Sequence, residues 1–152
     1  MALNSFTPNT KIESAKVTAN FTNLSNHGRN VTLKWAFPAT LFTQTLKDYL
    51  SLPDNATITG VYLACDTAPT GAAIIVDIER STDGGATWVT IFTGGTNRPQ
   101  VAISARTGNT TTIDVPSVVA NTYLYRAVLS QVGSTIAGAD LSVMMRATYN
   151  LD

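Results

Sequence analysis

The sequence predicts an all-β protein: a jelly-roll-like antiparallel sandwich of about eight strands, preceded by an N-terminal arm with a short amphipathic helix. From residue 30 onward, short stretches of alternating apolar and polar residues are separated by turn residues. No helical period interrupts these stretches after residue 50, which disfavours a parallel α/β fold. Residues 1–29 lack the alternation. An immunoglobulin-like order of the strands is an alternative to the jelly roll.

The predicted sandwich domain spans residues 30–152. The expected strands lie at 31–37, 41–46, 57–65, 72–79, 87–92, 100–105, 112–115, 122–132 and 141–149. Pro38 is expected to end the first of them, because proline supplies no N–H to a ladder. In the fourth, Val76 and Ile78 fall on the core face and Asp77 and Glu79 on the opposite face, since side chains alternate along a strand.

The predicted arm, residues 1–29, has the signals of a helix. Thr10 and Glu13 have capping-box spacing, which marks a helix start, and Gly28 can end the helix. Apolar residues at i, i+4 and i+7 form one stripe. A helix of about four turns is marginal alone, so this stripe is expected to dock on another surface. The predicted partner-binding residues are Ile12, Val17, Phe21 and Leu24.

Charge and hydropathy exclude several kinds of partner. Charged residues make up 13% of the chain, about half of the roughly 25% of an ordinary soluble domain, and the formal net charge is zero. We therefore expect no binding to nucleic acid or to an anionic membrane. There is no apolar run of about 18 residues and no signal peptide, so synthesis in the cytosol is expected. A weakly charged surface protects poorly against self-association, which favours an assembly protein.

The residues that carry catalysis are scarce. Cys65 is the single cysteine and lies in an apolar strand, where a buried, unreactive thiol is expected. His27 is the single histidine, at a predicted helix end. No nucleophile motif, phosphate loop or metal-ligand cluster is present. The sequence therefore predicts no enzyme and no catalytic, cofactor-binding or metal-binding residue.

One motif has two interpretations. The stretch 81–88, Ser-Thr-Asp-Gly-Gly-Ala-Thr-Trp, matches the Asp-box of sialidase propellers, but a propeller needs several blades. The motif is therefore interpreted as a hairpin in which Asp83 caps the turn amides and Trp88 packs beside them. Glu79, Ser81, Asp83 and Gly84 also have the spacing of positions 1, 3, 5 and 6 of a calcium loop, but position 12 would be Thr90 and the match fails. Asp77, Glu79 and Asp83 are the candidates for binding an adventitious cation.

Aromatic residues supply a second hypothesis, a platform for stacking sugar rings. Core packing is the alternative fate of such residues. The candidates are Trp35, Tyr49, Tyr62, Trp88, Tyr123 and Tyr125. Arg126, which shares a strand face with Leu124 and Val128, is a candidate for a subunit interface or for a core-edge position.

Two segments resemble proteins of tailed-bacteriophage virions. Residues 9–24, with Asn20-Phe21 and Leu24, look like a segment near the start of many such proteins. Residues 68–141 combine a Pro-x-Gly turn, an apolar strand and a Gly-x-x-x-x-Gly-Ala-Asp hairpin. This portion is similar to jelly-roll domains of phage head-decoration, head-fibre and tail-appendage proteins.

The resemblance implies a structural protein located in the virion. The leading hypothesis is a capsid decoration or head-fibre protein that attaches through its N-terminal segment to the major capsid protein or another virion protein. Its sandwich is expected to associate with copies of itself, most often as a homotrimer. The alternatives are a tail appendage and a glycan-binding module that attaches to the host surface. The resemblance implies nothing about the exposed loops, because the hairpin of this chain has a longer, Asp-box-like turn.

Overall fold

The structure is a computed structural model, and it describes residues 29–149. These residues contain strands and connecting segments but no helix. The strands are β1 (Arg29–Thr40), β2 (Gln44–Thr45), β3 (Leu50–Ser51), β4 (Ala56–Thr67), β5 (Ile74–Ser81), β6 (Val89–Thr90), β7 (Gln100–Val101), β8 (Thr107–Thr110), β9 (Ser117–Val118), β10 (Leu124–Gln131) and β11 (Ala139–Tyr149). The predicted helix lies outside the described residues, as do its partner-binding residues Ile12, Val17, Phe21 and Leu24.

The strands form two antiparallel sheets. The first has the order β1-β11-β4-β8, and β9 also pairs with β4. Because β11 pairs along the whole of one side of β4, both β8 and β9 lie on its other side. The second sheet has the order β2-β10-β5-β6, with β3 on β10 and β7 on β5. Each sheet therefore has four strand positions, and three of the four outer positions are divided into two short strands.

The pairs are nested within one another along the chain. β1 pairs with β11, β2 and β3 with β10, β4 with β8 and β9, and β5 with β6 and β7. This nesting results when one long antiparallel hairpin is rolled across two sheets. An immunoglobulin sandwich instead pairs its first strand with its second. The predicted antiparallel sandwich is confirmed, and the immunoglobulin-like order is wrong because β1 pairs with β11.

The core lies between the sheets and is built by alternation along the strands. In β1, Leu33, Trp35 and Phe37 are buried, whereas Lys34 and Ala36 between them are exposed. The same alternation buries every second residue of β11 from Leu141 to Ala147. Val76 and Ile78, which were predicted on the core face of the strand at 72–79, are also buried. The buried residues form one cluster that includes both sheets.

The predicted strands differ from the structure in several places: those expected at 41–46, 87–92 and 100–105 shorten to β2, β6 and β7, and β3, β8 and β9 were not predicted. Residues 112–115 form no strand, because Val115 N–H donates to the Ile91 carbonyl (3.1 Å) and so draws this segment away from β4. Pro38 does not end β1, which continues to Thr40. The pairing with β11 shifts register between Phe37 and Thr40, and β1 lies at a sheet edge, where the missing N–H of proline is tolerated.

The two ends of the sandwich differ. We call one end the arm end: there Arg29, where β1 begins, pairs with Tyr149, and Tyr149 pairs with Ala56. We call the opposite end the loop end, formed by residues 41–43, 68–73, 102–106 and 132–138. Backbone hydrogen bonds join these four loops, from Leu41 N to Gly138 O, from Thr70 N to Ile136 O and from Ser104 N to Pro69 O. The loop end is therefore a continuous surface.

The close approach of the two sheets beside β8 gives a test of the packing. A Cβ added to Gly108 would lie 1.8 Å from the Gln100 carbonyl oxygen, at the start of β7. We expect Gly108→Ala to lower the free energy of unfolding by about 1–3 kcal/mol, the usual cost of overpacking. A Cβ added to Gly94 would meet nothing closer than 3.8 Å, so Gly94→Ala is the matched control. Denaturant titration measures both, and equal effects would contradict the described packing.

Candidate functional site

The structure separates the six aromatic residues that the sequence offered as a sugar platform. Trp35 and Tyr125 belong to the core, where their exposed fractions are 3% and 0%. The Trp35 indole N–H donates to the Asp48 carbonyl over 2.9 Å. Burial raises the pKa of Tyr125 to about 12, so its hydroxyl stays neutral. Neither ring is available to a ligand in solution.

Two of the remaining aromatics stand apart, each beside an arginine. The Arg146 guanidinium lies 4.6 Å from the centre of the Tyr62 ring, on the first sheet. The Arg80 guanidinium lies 5.0 Å from the centre of the Tyr123 ring, next to β10 of the second sheet. Such cation–π contacts are common on protein surfaces and do not by themselves form a site.

Tyr49 and Trp88 come together, although the sequence separates them by 39 positions. Their ring centres are 4.9 Å apart and their planes are tilted by 42°. Arg126 continues the arrangement, with its guanidinium 4.2 Å from the centre of the Trp88 ring. Glu79 then holds Arg126, accepting from Nε over 2.7 Å and from Nη2 over 2.6 Å. We call these four residues the aromatic row.

Sheet geometry explains why these residues meet. Arg126 of β10 and Glu79 of β5 are directly opposite each other in the ladder, so their side chains share the outer face of the second sheet. Arg126 lies outside the core, on this outer face. Its side chain is 21% exposed and that of Glu79 is 23% exposed.

The hairpin between β5 and β6 holds Trp88 in place. The Asp83 carboxylate accepts from the Ser81 hydroxyl over 2.7 Å, from Thr87 N over 2.9 Å and from the Thr87 hydroxyl over 2.7 Å. Gly84 and Gly85 adopt φ of 70° and 96°, the left-handed region that favours glycine. The Trp88 indole N–H donates to the Gly85 carbonyl over 3.0 Å. The hairpin interpretation of the Asp-box motif is confirmed.

The three carboxylates that the sequence offered for an adventitious cation already have partners. Asp77 is buried, and its carboxylate accepts from Arg98 Nε over 2.8 Å and from the Thr90 hydroxyl. Glu79 is bound to Arg126, and the Asp83 carboxylate is bound within its own turn. Within residues 29–149, no cluster of three or more His, Cys, Asp or Glu side chains has the arrangement needed to hold a metal ion.

Cys65 has the surroundings of a structural thiol. Its side chain is buried at the core, where it contacts the Arg106 carbonyl over 3.5 Å. Burial raises the pKa of the Cys65 thiol, and the Arg106 charge offsets only part of that effect. A neutral, buried thiol is a poor nucleophile. His27 lies outside the described residues.

The loop end carries a second candidate surface. Three large apolar side chains are exposed there, Phe42 at 61%, Ile103 at 54% and Ile136 at 48%. Each comes from a different loop, and hydrogen bonds join the loops next to these residues. Such a group of exposed apolar side chains is typical of a protein contact surface. No helix in the described part of the chain is long and apolar enough to cross a membrane.

Comparisons with known proteins give structural likenesses only. No family model matches the sequence, and no curated protein matches it. Five chains of solved structures match. A chain from the capsid of Ralstonia phage GP4 is 17% identical with a TM-score of 0.48, over 81% of this chain and 86% of that chain. A chain from the capsid asymmetric unit of cyanophage Pam1 is 19% identical with a TM-score of 0.39, over 80% and 86%. Likenesses at this level do not indicate a function.

The hairpin that carries Trp88 makes a prediction about pH. Hydrogen bonds from the Thr87 amide and hydroxyl and from Ser81 lower the pKa of Asp83 from 3.8 to about 2. A lowered pKa in the folded state means that this carboxylate stabilises the fold above its unfolded pKa and loses that effect as pH falls to its folded pKa. Asp83→Asn should therefore be less stable than the wild type at neutral pH.

The difference in stability should shrink between about pH 4 and pH 2, which denaturant titration at several pH values measures. Asp54→Asn, at an exposed position, is the control, and its stability should differ from that of the wild type by much less than the stability of Asp83→Asn does. A gap between Asp83→Asn and wild type that persists unchanged at pH 2 would contradict this assignment.

Proposed function

We propose that this protein is a non-enzymatic structural component of a bacteriophage virion, most specifically a capsid decoration or head-fibre protein. The N-terminal segment, residues 1–29, attaches it to the major capsid protein or another virion protein. The sandwich then faces outward. The observation that carries the proposal is the difference between the two ends of the sandwich: the chain enters at the arm end, and exposed apolar side chains gather at the loop end.

The fold supports this role. Nested pairing of eight strand positions in two sheets is what a jelly roll requires, and we assign the domain to that topology. Jelly rolls occur in viral capsid proteins, although the same fold also serves lectins and cupins. Fold alone therefore does not choose among these functions. The resemblance of residues 9–24 and 68–141 to virion proteins favours the virion role.

The arm end gives the attachment its geometry. β1 starts at Arg29, so residues 1–28 join the sandwich next to Tyr149 and away from the loop end. Attachment through Ile12, Val17, Phe21 and Leu24 would therefore hold the arm end towards the particle and turn Phe42, Ile103 and Ile136 away from it. Each apolar side chain that is fully buried in such a contact contributes roughly 1.5–3 kcal/mol.

One sheet edge favours association between copies. Three outer strand positions are divided into pieces of two to four residues, whereas β1 is a continuous strand of 12 residues. β11 pairs with one side of β1, and among the described residues no strand pairs with the other side. A long free edge readily pairs with another chain, so a stable protein covers it. We propose that neighbouring copies cover β1 in a homotrimer, the assembly expected from the resemblance.

Two alternative functions share features with this proposal. A tail appendage would attach through the same segment at a different position on the particle. A glycan-binding module would use the aromatic row, which places exposed aromatic and polar side chains together on one sheet face.

Attachment is tested with purified particles that lack this protein. The full chain should bind them, and removal of residues 1–28, which leaves β1 intact, should abolish binding. The double substitution Phe21→Ala and Leu24→Ala should weaken binding at least tenfold, because it shortens two apolar side chains of the proposed contact. Thr22→Ala is the matched control, since Thr22 lies off the predicted stripe. Co-sedimentation measures the bound fraction. Undiminished binding by the truncated chain would refute attachment through the arm.

A further inference from the structure

We propose that the aromatic row, Tyr49, Trp88, Arg126 and Glu79, is a carbohydrate site for a neutral pyranose. The proposal deepens the glycan-binding alternative and is independent of attachment through the arm. It begins from a juxtaposition: two aromatic rings and a paired arginine and glutamate, brought from four separate segments, share the outer face of the second sheet.

The row offers an apolar surface to solvent. Tyr49 is 45% exposed, and Trp88 is half-buried. Carbohydrate rings present apolar C–H faces, and a flat aromatic face buries them with little loss of side-chain freedom. The centre of the Trp88 ring lies 4.9 Å from that of Tyr49, so the second ring enlarges the apolar surface. The sandwich core is complete without these rings, because both lie outside the buried cluster.

The row is fixed before any ligand binds. The Trp88 side chain is held by the hydrogen bond from its indole N–H to the Gly85 carbonyl, by the Arg126 guanidinium over its ring and by the Tyr49 ring beside it. Arg126 is itself fixed by two contacts to Glu79. A preorganised surface avoids the cost of ordering side chains on binding, which otherwise weakens affinity for small ligands.

Hydrogen-bonding capacity remains next to the rings. Both contacts from Arg126 go to the same oxygen, Glu79 Oε2, which leaves Oε1 able to accept. Arg126 uses Nε and Nη2, and its other guanidinium N–H groups remain donors. A sugar hydroxyl both donates and accepts, so an acceptor and donors side by side suit it. Both side chains are partly exposed and within reach of a ligand.

The charges favour a neutral sugar. The formal charges of Arg126 and Glu79 cancel, and the arginine is already engaged by the glutamate. The carboxylate of an acidic sugar would meet Glu79 without a free cation among the four residues to balance it, which is unfavourable. We therefore expect discrimination against sialylated glycans, despite the Asp-box motif in the same hairpin.

The first sheet supplies a matched control. Tyr62 lies 4.6 Å from the Arg146 guanidinium, so it repeats the tyrosine and arginine chemistry of the row. Within the described residues, no second aromatic ring packs beside Tyr62, and Arg146 forms no ion pair with a glutamate. Loss of Tyr62 therefore tests for non-specific adhesion to an aromatic surface.

The experiment uses the full chain without particles. An array of neutral hexose and hexosamine oligosaccharides, with their sialylated forms, identifies the bound glycan, and isothermal titration calorimetry measures its affinity. Tyr49→Ala should lower that affinity about tenfold or more, and Tyr62→Ala should leave it unchanged. Glu79→Gln, which removes one negative charge, should reduce the difference in affinity between neutral and sialylated glycans. Thermal unfolding of each variant checks that the sandwich remains folded.

Three outcomes would overturn the proposal. The first is absence of binding to any neutral glycan on the array. The second is stronger binding to sialylated glycans than to neutral ones. The third is an equal loss of glycan affinity in Tyr49→Ala and Tyr62→Ala. A chain that binds particles but no sugar would leave the attachment proposal intact. A chain that binds sugar but loses no particle binding when residues 1–28 are removed would leave the carbohydrate site intact.

Discussion

The structure depends on the ladder that places β11 between β1 and β4. β11 pairs with β1 from Tyr149 to Ala139 and with β4 over the same length. This last strand therefore joins the first strand of the described chain to the first sheet, and its alternate residues form part of the core. Because β1 and β11 pair residues from 99 positions apart (Thr40 with Ala139) to 120 positions apart (Arg29 with Tyr149), the first sheet closes only when the last described strand is in place.

The same pairing has consequences for the surface. It brings the start and the end of the described chain to the arm end and leaves four loops to form the loop end. It also leaves the second sheet with an outer face on which β5 and β10 lie side by side. The aromatic row uses that face, where Arg126 and Glu79 are cross-strand neighbours and Trp88 arrives from the adjoining hairpin. Both candidate surfaces are thus products of strand order.

Alternation along single strands could be predicted from the sequence, because it reflects burial of one face. The inward positions of β1, β5 and β11 follow from it, and so does the Asp83 hairpin, whose bonds join residues a few positions apart. Residues 112–115 also alternate between apolar and polar side chains. They form no strand, because the Val115 N–H donates a hydrogen bond to the carbonyl of Ile91 in a distant segment. Tyr49 and Trp88 were two of six aromatic candidates. Only the pairing of β3 and β5 with β10 brings their segments to one sheet face.

The position of Tyr149 beside Arg29 has a practical meaning for display on a particle. A peptide fused after the last strand would emerge at the same end as the N-terminal segment, close to whatever that segment holds. A peptide inserted between β10 and β11, within residues 132–138, would emerge at the far end of the sandwich. Within that loop, Gly133 has no room for a side chain, because an added Cβ would lie 1.9 Å from the Ile136 carbonyl oxygen. An insertion that keeps Gly133 and Ile136 in contact would therefore leave the geometry of the loop intact while presenting new sequence to the surroundings.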